Sequence, residues 1–224
     1  MKEKRNVIII PGYNLLGWKL KEMYSKLIES LSDKYRVLIF DYNMHADSIE
    51  SIFNAFDSFL KKKGITSCDL ICNSYGTYIT LKYLTERKTK LKIGKIAIIA
   101  GLINGSRLFR LYYYHDLLSR AKTGSSFREA VYDNKNKYNL PKNIKVLAIS
   151  GDKRSGKHFM GNIFQKYGLL GVAFLTFDLR TTDGILSIDE STLEGYENKI
   201  IHANHITLHD DPETISVVKS FLKR

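Results

Sequence analysis

The chain has 224 residues, 44% of them hydrophobic and 12% aromatic, which is enough apolar material for one domain with a sizeable core and excludes a disordered chain. Its 35 Lys and Arg residues outnumber its 23 Asp and Glu residues, and the resulting net charge of +12 is scattered over predicted loops and helix faces, which indicates a solvated basic surface. No apolar run reaches the length of about 18 residues that a membrane span requires.

Six short apolar runs punctuate the chain. Each is rich in β-branched residues and nearly continuous in apolarity, the pattern of strands that are buried on both faces of a parallel sheet. The runs are residues 6–10, 35–40, 68–72, 95–100, 144–150 and 198–203. They predict six strands.

Amphipathic segments alternate with these runs and predict helices. The segments with apolar side chains at helical spacing are residues 17–32, 46–62, 76–86 and 212–222. Alternating strands and helices predict an α/β fold with right-handed crossovers. We therefore expect a single domain over residues 1–224, built on a roughly six-stranded, mainly parallel sheet with helices on both faces.

Two segments are longer than ordinary connections. Residues 102–140 and 153–180 are rich in aromatic residues and glycine, and each follows a predicted strand. Ligands of open α/β sheets bind outside the carboxyl ends of the strands, so both segments are candidate lids or pocket walls. The stretch YYYHDLL in the first of them is equally consistent with an aromatic core helix.

A serine stands at the junction between the third strand and the next helix, in the stretch LICNSYGT. There Ser74 is followed two residues later by Gly76, on a tight turn that would expose the serine oxygen above the sheet. The positions two residues either side of the serine must be small because strand and helix backbones approach closely. Gly76 meets this demand, whereas Cys72 replaces the usual glycine. The pattern predicts a nucleophile elbow that departs from the common sequence at one position.

Four segments, in chain order, resemble the α/β-hydrolase superfamily, and more narrowly its compact lipase and esterase members. They are NVIIIPGYN, CNSYG, TTDGILSIDES and HANHITLHDDPETISVVKSFL, and they cover most of the chain. The serine, acid and histidine follow one another in the order that this superfamily uses. The resemblance implies hydrolysis of a carboxylic ester or thioester through an acyl-enzyme, with no cofactor and no metal.

A serine hydroxyl needs a histidine base and a carboxylate behind it before it can attack a carbonyl. We expect Ser74 as the nucleophile and His205 as the base, since His205 lies between the last strand and the final helix, where the superfamily has its histidine loop. His202 at the strand end and His209 near the helix cap are the alternatives.

Two aspartates are candidates for the carboxylate. Asp183 begins the segment DGIL, which resembles the acid loop of the superfamily, and we favour it. Asp152, directly after the strand 144–150, is the alternative acid. Asp189 and Glu190 instead look like the beginning of a helix.

The oxyanion hole would be made by backbone groups. The N–H of Tyr75 follows the nucleophile, and the N–H of Tyr13 lies in the loop after the first strand, where Gly12 allows a close approach. The alternative reading of Pro11 and Gly12 is an ordinary turn.

Other chemistries fit the sequence less well. His202, His205 and His209 would share a face, as metal ligands should, only if this stretch were helical, yet Pro212 marks a helix start after it. Residues 151–157, GDKRSGK, lack the spacing of a phosphate loop. Two further functions stay open: a non-catalytic binding protein with the hydrolase fold, which Cys72 encourages, and an acyltransferase, which would use the same residues.

The sequence also bears on partners and compartment. The aromatic inserts favour a small-molecule or lipid-like ester with an acyl chain, and the basic surface suits an anionic headgroup or a phosphorylated carrier and permits weak association with an anionic membrane surface. We expect no nucleic-acid partner. Cys68 and Cys72 are too far apart for a disulfide in an extended strand, and the N-terminal apolar run is too short for a signal peptide, so we expect a cytoplasmic protein with buried thiols.

Overall fold

Six parallel strands form one sheet. The computed structural model describes residues 4–14, 18–46, 48–110, 124–133, 138–153 and 182–224. The strands are β1 (Arg5–Ile10), β2 (Tyr35–Ile39), β3 (Ser67–Asn73), β4 (Lys92–Ile99), β5 (Lys145–Gly151) and β6 (Glu197–Ile201). Their order is β2-β1-β3-β4-β5-β6, and every neighbouring pair is parallel. The prediction of a six-stranded parallel sheet is confirmed.

The direction of winding reverses between β1 and β3. From β1 the chain moves to β2 on one side, and from β3 onward every strand is added on the other side. The register of β1 and β3 places Ile8 opposite Leu70 and Ile10 opposite Cys72. At such a switch point the loops after the two neighbouring strands diverge and leave a crevice at the carboxyl edge of the sheet.

Helices flank the strands. In chain order they are α1 (Leu20–Met23), α2 (Ser25–Ser32), α3 (Ile49–Lys63), α4 (Tyr75–Glu86), α5 (Ser125–Tyr132), α6 (Ile188–Ser191) and α7 (Pro212–Lys223), with a 3₁₀ turn at Leu208–Asp210. The helix expected over 17–32 is wrong in one respect, because it divides at Tyr24, whose φ of −104° and ψ of 16° are not helical. The buried side chain of Tyr24 points to the sheet at this break.

Local caps explain where the long helices begin and end. The Ser48 side chain accepts a hydrogen bond from Ser51 N at the start of α3, and Gly64 ends that helix in the left-handed region with φ 65°. Asp211 accepts from two backbone N–H groups at the start of α7, where Pro212 occupies the first turn. Glu190 completes a capping box with Ser187, so the predicted helix start at 189–190 is confirmed.

Two apolar cores lie on opposite faces of the sheet. Alternate residues of β1 divide between them: Ile8 and Ile10 join one core, whereas Val7 and Ile9 join the other. The first core packs against α3, α4 and α5, and the second against α2 and α7. The predicted arrangement of helices on both faces is therefore confirmed.

The predicted long segments are described only in part. Residues 102–110, 124–133 and 138–140 of the first segment are described, but YYYHDLL lies outside the described residues. Of the second segment, all but residue 153 lies outside them. The expectation that these segments form lids or pocket walls stays a prediction.

Candidate active site

The turn between β3 and α4 holds Ser74 in a strained conformation. Its φ of 48° and ψ of −119° are unusual for a residue with a side chain. The backbone compensates, because Ser74 N donates to Ile99 O over 3.1 Å, and Ser74 O accepts from Thr77 N and Leu102 N, each over 3.0 Å. The turn is therefore held from β4 and from the first turn of α4, and the serine side chain stays partly exposed.

The small residues around the turn are required by the neighbouring backbone. A Cβ built on Gly76 would lie 2.5 Å from Pro11 O and closer still to Ile10 O, so no larger residue fits without moving the loop after β1. On the strand side, Cys72 fits because its Sγ is buried and donates to Thr80 Oγ1 over 3.1 Å. Burial raises the pKa of the Cys72 thiol to about 12, so it is neutral. Cys72 therefore substitutes for glycine here without disturbing the turn.

The loop after β6 brings His205 to the serine. His205 Nε2 lies 3.0 Å from Ser74 Oγ, and His205 Nδ1 lies 2.7 Å from Asp183 Oδ2. Since a carboxylate only accepts, Nδ1 must carry the proton, and Nε2 is left to accept from the serine hydroxyl. The backbone adds a further bond, from His205 N to Asp183 O, over 3.0 Å.

Asp183 is fixed by further contacts besides its bond to His205. Its side chain is 1% exposed, and Oδ1 accepts from Ile185 N over 2.9 Å and from Leu186 N over 2.7 Å. A Cβ on Gly151, at the end of β5, would approach Asp183 Cβ to 2.9 Å. The acid loop thus packs on the carboxyl edge of β5, and both carboxylate oxygens are occupied.

The other candidates have different partners. Asp152 Oδ1 contacts His202 Nδ1 over 2.8 Å, and this histidine side chain is 76% exposed. His209 is buried and donates from Nε2 to Met23 O over 2.9 Å. The structure therefore brings together Ser74, His205 and Asp183 through hydrogen bonds. Neither of the alternative histidines, nor the alternative acid, is bonded to these three residues.

The loop after β1 packs directly against the serine. A Cβ on Gly12 would lie 2.8 Å from Ser74 Cβ. Tyr13 follows it, and Tyr75 is the first residue of α4, so its backbone N–H is one of those that a helix start leaves without an intrahelical partner. Both residues expected to form an oxyanion hole lie next to Ser74 in this arrangement.

Aromatic rings line this edge of the site. The Tyr13 and Phe127 rings stack with centroids 4.3 Å apart, and Tyr75 meets Phe127 edge to face at 5.0 Å. Phe109 meets Phe127 in the same manner at 5.3 Å. Phe127, on α5, belongs to the predicted segment 102–140, which therefore packs a buried ring against Tyr13 and Tyr75.

A cleft of about 690 Å³ adjoins this loop. It lies between the loop after β1 and the loop after β2 and is lined by residues 14, 18–22 and 41–45. Its lining mixes charged, amide and apolar side chains. On its near side, the Tyr13 hydroxyl lies 2.9 Å from His45 Nδ1.

Two buried tyrosines beside the site did not stand out in the sequence. Tyr24 lies within the predicted helix 17–32, and Tyr42 lies outside the predicted elements. The available signal was chemical, because a buried tyrosine usually finds a partner for its hydroxyl. Their partners, Asn73 and Pro11, flank Ser74 and Gly12.

Comparison with solved structures identifies the architecture as the α/β-hydrolase fold. The mature form of the Bacillus licheniformis lipase BlEst2 matches with a TM-score of 0.68 and 14% identity, covering 99% of this chain and 93% of the lipase. The carboxylesterase CesB (YbfK) from Bacillus subtilis matches with a TM-score of 0.58 and 12% identity, covering 99% of this chain and 85% of the esterase. Est816, described as an N-acyl homoserine lactone degrading enzyme, matches with a TM-score of 0.61 and 11% identity over 98% of this chain and 93% of its own.

The sequence comparisons found no match. No protein-family model matches the chain, and no curated protein matches it either. In the part of the chain that the structure describes, every helix is too short or too polar to cross a bilayer.

Proposed function

We propose that the chain is a serine hydrolase that cleaves carboxylic esters or thioesters through an acyl-enzyme. The observation that carries this proposal is the hydrogen-bonded chain from Asp183 through His205 to Ser74, which ends on a serine in the strained conformation of a nucleophile elbow. In the proposal these residues are the acid, the base and the nucleophile.

The first half of the reaction acylates the serine. As Ser74 Oγ attacks the substrate carbonyl carbon, its proton passes to His205 Nε2, 3.0 Å away. The tetrahedral intermediate then collapses, the bond to the leaving group breaks, and His205 returns the proton to the leaving oxygen or sulfur. In the second half, water gives a proton to the same nitrogen and attacks the acyl carbon. The bond from that carbon to Ser74 Oγ then breaks, and His205 returns the proton to Ser74 Oγ, which releases the acid and restores the serine.

In this proposal Asp183 orients the imidazole for the proton transfers and stabilises its charged form. Its Oδ2 accepts the Nδ1–H of His205, which keeps the imidazole in the tautomer whose Nε2 can act as a base. The negative charge stabilises the imidazolium that forms in each half-reaction. The backbone donors of Ile185 and Leu186 hold Oδ1, so the carboxylate cannot rotate away.

The oxyanion of the intermediate would be stabilised by the N–H groups of Tyr13 and Tyr75. Support comes from the direct packing of Gly12 on Ser74 and from the position of Tyr75 at the N-terminus of α4, where the helix dipole favours negative charge. Backbone donors fixed in advance are effective because they need no reorganisation during the reaction.

The substrate class rests on two further observations. Structures with this fold that match the chain include a lipase, a carboxylesterase and a lactone-degrading enzyme, all acting on acyl oxygen bonds by their names. The rings of Tyr13 and Phe109, which both contact the buried Phe127, offer apolar surface on this side of the site for an acyl chain.

A series of p-nitrophenyl esters from acetate to palmitate tests the proposal. We expect turnover, together with one covalent fluorophosphonate adduct by intact mass, and we expect both to be lost in Ser74→Ala. The matched control is Ser58→Ala, an exposed serine on α3 that donates only to Asn54 O, which should keep both. Absence of turnover and of an adduct in the wild-type protein would favour a non-catalytic binding protein.

A further inference from the structure

The turn after β1 is supported by a tyrosine that projects from beyond β2. The Tyr42 side chain is buried, and its hydroxyl donates to Pro11 O over 2.8 Å. Burial raises the pKa of Tyr42 well above its ordinary value, so the hydroxyl keeps its proton and remains a donor. Tyr42 belongs to the core that packs against α3 and α4.

The elbow is supported from the opposite face of the sheet. Tyr24 belongs to the core under α2 and α7, is fully buried, and donates from its hydroxyl to Asn73 Oδ1 over 2.9 Å. Asn73 in turn donates from Nδ2 to Ile99 O over 2.9 Å, the same carbonyl that accepts from Ser74 N. Tyr24 is therefore linked through one side chain to the backbone that carries the nucleophile.

The two tyrosines act on neighbouring groups around Gly12. A Cβ on Gly12 would lie 3.2 Å from Asn73 Oδ1, so the Gly12 backbone adjoins the amide that Tyr24 binds. Burial raises the pKa of Tyr24 strongly, so its hydroxyl keeps its proton and remains a donor to Asn73. Tyr42 thus binds the carbonyl of the Pro11–Gly12 peptide, and Tyr24 binds the Asn73 amide that adjoins Gly12.

A trans peptide is planar, so a bond that holds its C=O also constrains the direction of its N–H. Tyr42 holds the carbonyl of this peptide, and Tyr24, from the other face of the sheet, orients the Asn73 amide that adjoins Gly12. The next N–H along the chain is that of Tyr13, whose direction follows from this plane and from the φ and ψ of Gly12. Without the contacts, Gly12 would be free to rotate because glycine has few conformational restrictions.

We propose that Tyr24 and Tyr42 are positioning residues that hold the Pro11–Gly12 peptide and so direct the Tyr13 N–H at the oxyanion formed on Ser74. The inference rests on the proposed function. Phenylalanine would fill the same apolar space without the cost of burying a hydroxyl, so packing alone does not account for tyrosine at both positions.

The test compares Tyr24→Phe and Tyr42→Phe with Tyr83→Phe. Tyr83 is also buried and donates to Asp57 Oδ1 over 2.6 Å, but it lies two turns beyond the elbow in α4. Three quantities are measured: kcat and KM for a p-nitrophenyl ester, the Ki of an alkyl boronic acid, and the midpoint of thermal unfolding. The boronic acid forms a tetrahedral adduct on a serine and places an oxygen where the oxyanion would be, so its Ki reports on the donors and a purely structural effect would not weaken it selectively.

For Tyr24→Phe and Tyr42→Phe we expect kcat to fall by roughly 10- to 100-fold and the boronic acid Ki to rise by a similar factor, with KM changed by less than about threefold. The double variant should lose less than the product of the two single losses, because both residues act on the position of Gly12. Tyr83→Phe should lower the unfolding midpoint but keep kcat and Ki within about twofold. If one variant does not fold, the other carries the test.

The outcomes separate the two proposals. An active wild type with unchanged kcat and Ki in both variants overturns this inference and leaves the proposed function in place. Equal losses in Tyr83→Phe overturn it as well, because they would reflect general destabilisation. A wild type with neither turnover nor a fluorophosphonate adduct overturns the proposed function and this inference together.

Discussion

Two buried aspartates lie at opposite edges of the sheet. Asp183 is 1% exposed at the carboxyl edge, and Asp69 is 2% exposed toward the starts of the strands. Asp183 is bonded to a histidine ring and to two backbone N–H groups. Asp69 instead lies 2.9 Å from Arg5 Nε and near Lys95, so its partners are basic side chains.

Asp69 and Asp183 differ in whether their partners can exchange a proton at neutral pH. Burial raises the pKa of Asp69, and the charges of Arg5 and Lys95 oppose that rise. Arg5 and Lys95 also donate to the carbonyl of Leu222, over 2.6 and 2.7 Å, and so tie α7 to the sheet. An arginine cannot exchange its proton at working pH, whereas an imidazole can. The Asp69 edge is therefore suited to holding the fold, and the Asp183 edge to moving a proton.

The difference between Asp183 and Asp69 is tested most directly by neutralising each carboxylate in turn. Asp183→Asn should lower kcat by roughly 10³- to 10⁴-fold, because the amide would favour the wrong imidazole tautomer at His205. Asp69→Asn should leave kcat within about threefold, since it lies at the other edge of the sheet. Steady-state kinetics with a p-nitrophenyl ester measures both. Similar losses in the two variants would show that the edges do not differ in function.

Two glycines, Gly76 at the carboxyl edge and Gly94 beside Asp69, provide a second test of this difference. Gly76→Ala would press a methyl group against the Ile10 and Pro11 carbonyls, which are backbone and cannot move away, so we expect a loss of about 1–3 kcal/mol in the free energy of unfolding and a lower kcat. Gly94→Ala would approach only Asp69 Oδ1, at 2.9 Å, and that side chain can shift. Urea unfolding and kcat should therefore separate the two variants, and an equal kcat in both would contradict this reading of the elbow.

The smallest expected effect concerns pH at the carboxyl edge. Burial lowers the pKa of His209 from its ordinary value of 6.5, so the folded chain holds the neutral ring, which donates to Met23 O. This contribution to stability is fully present above the ordinary pKa and is lost as the pH falls through it, by at most about 1.4 kcal/mol per pH unit. Urea unfolding at pH 7.5 and 5.5 should show a steeper loss for wild type than for His209→Gln.

The control for this effect is Ser58→Ala, because this exposed serine carries no group that titrates in this pH range and donates to Asn54 O. That variant should keep the wild-type pH dependence. Parallel losses in wild type and His209→Gln would mean that other groups set the acid sensitivity.

The sequence predicts the fold well because strands and helices leave local signals. All six strands follow from short apolar runs, and the long helices follow from periodicity, since each pattern is set by which face is buried. The split at Tyr24 leaves no signal in the periodicity, and the contact that the Tyr24 hydroxyl makes there, with Asn73, is 49 residues away in the chain.

The candidate site is predicted less completely. Chain order and the turn sequence are enough to propose Ser74, Asp183 and His205, and the structure brings these three together, but their catalytic roles stay a prediction. Asp152 could not be set aside from sequence, because it too follows a strand end, and only the geometry pairs it with His202. The contacts of Tyr42 are equally non-local, since Pro11 is 31 residues away.

The pairing of β1 with β3 sets a distance as well as a topology. Ile10 lies opposite Cys72, so the loop that carries Gly12 and the turn that carries Ser74 begin from the same level of the sheet. A slip of one residue would displace one loop by about 3.3 Å and would also turn Val7 and Ile9 toward the core that holds Ile8 and Ile10. The packing of β1 on both of its faces therefore fixes this register, and the cores that stabilise the fold also set the distance across which a substrate would react.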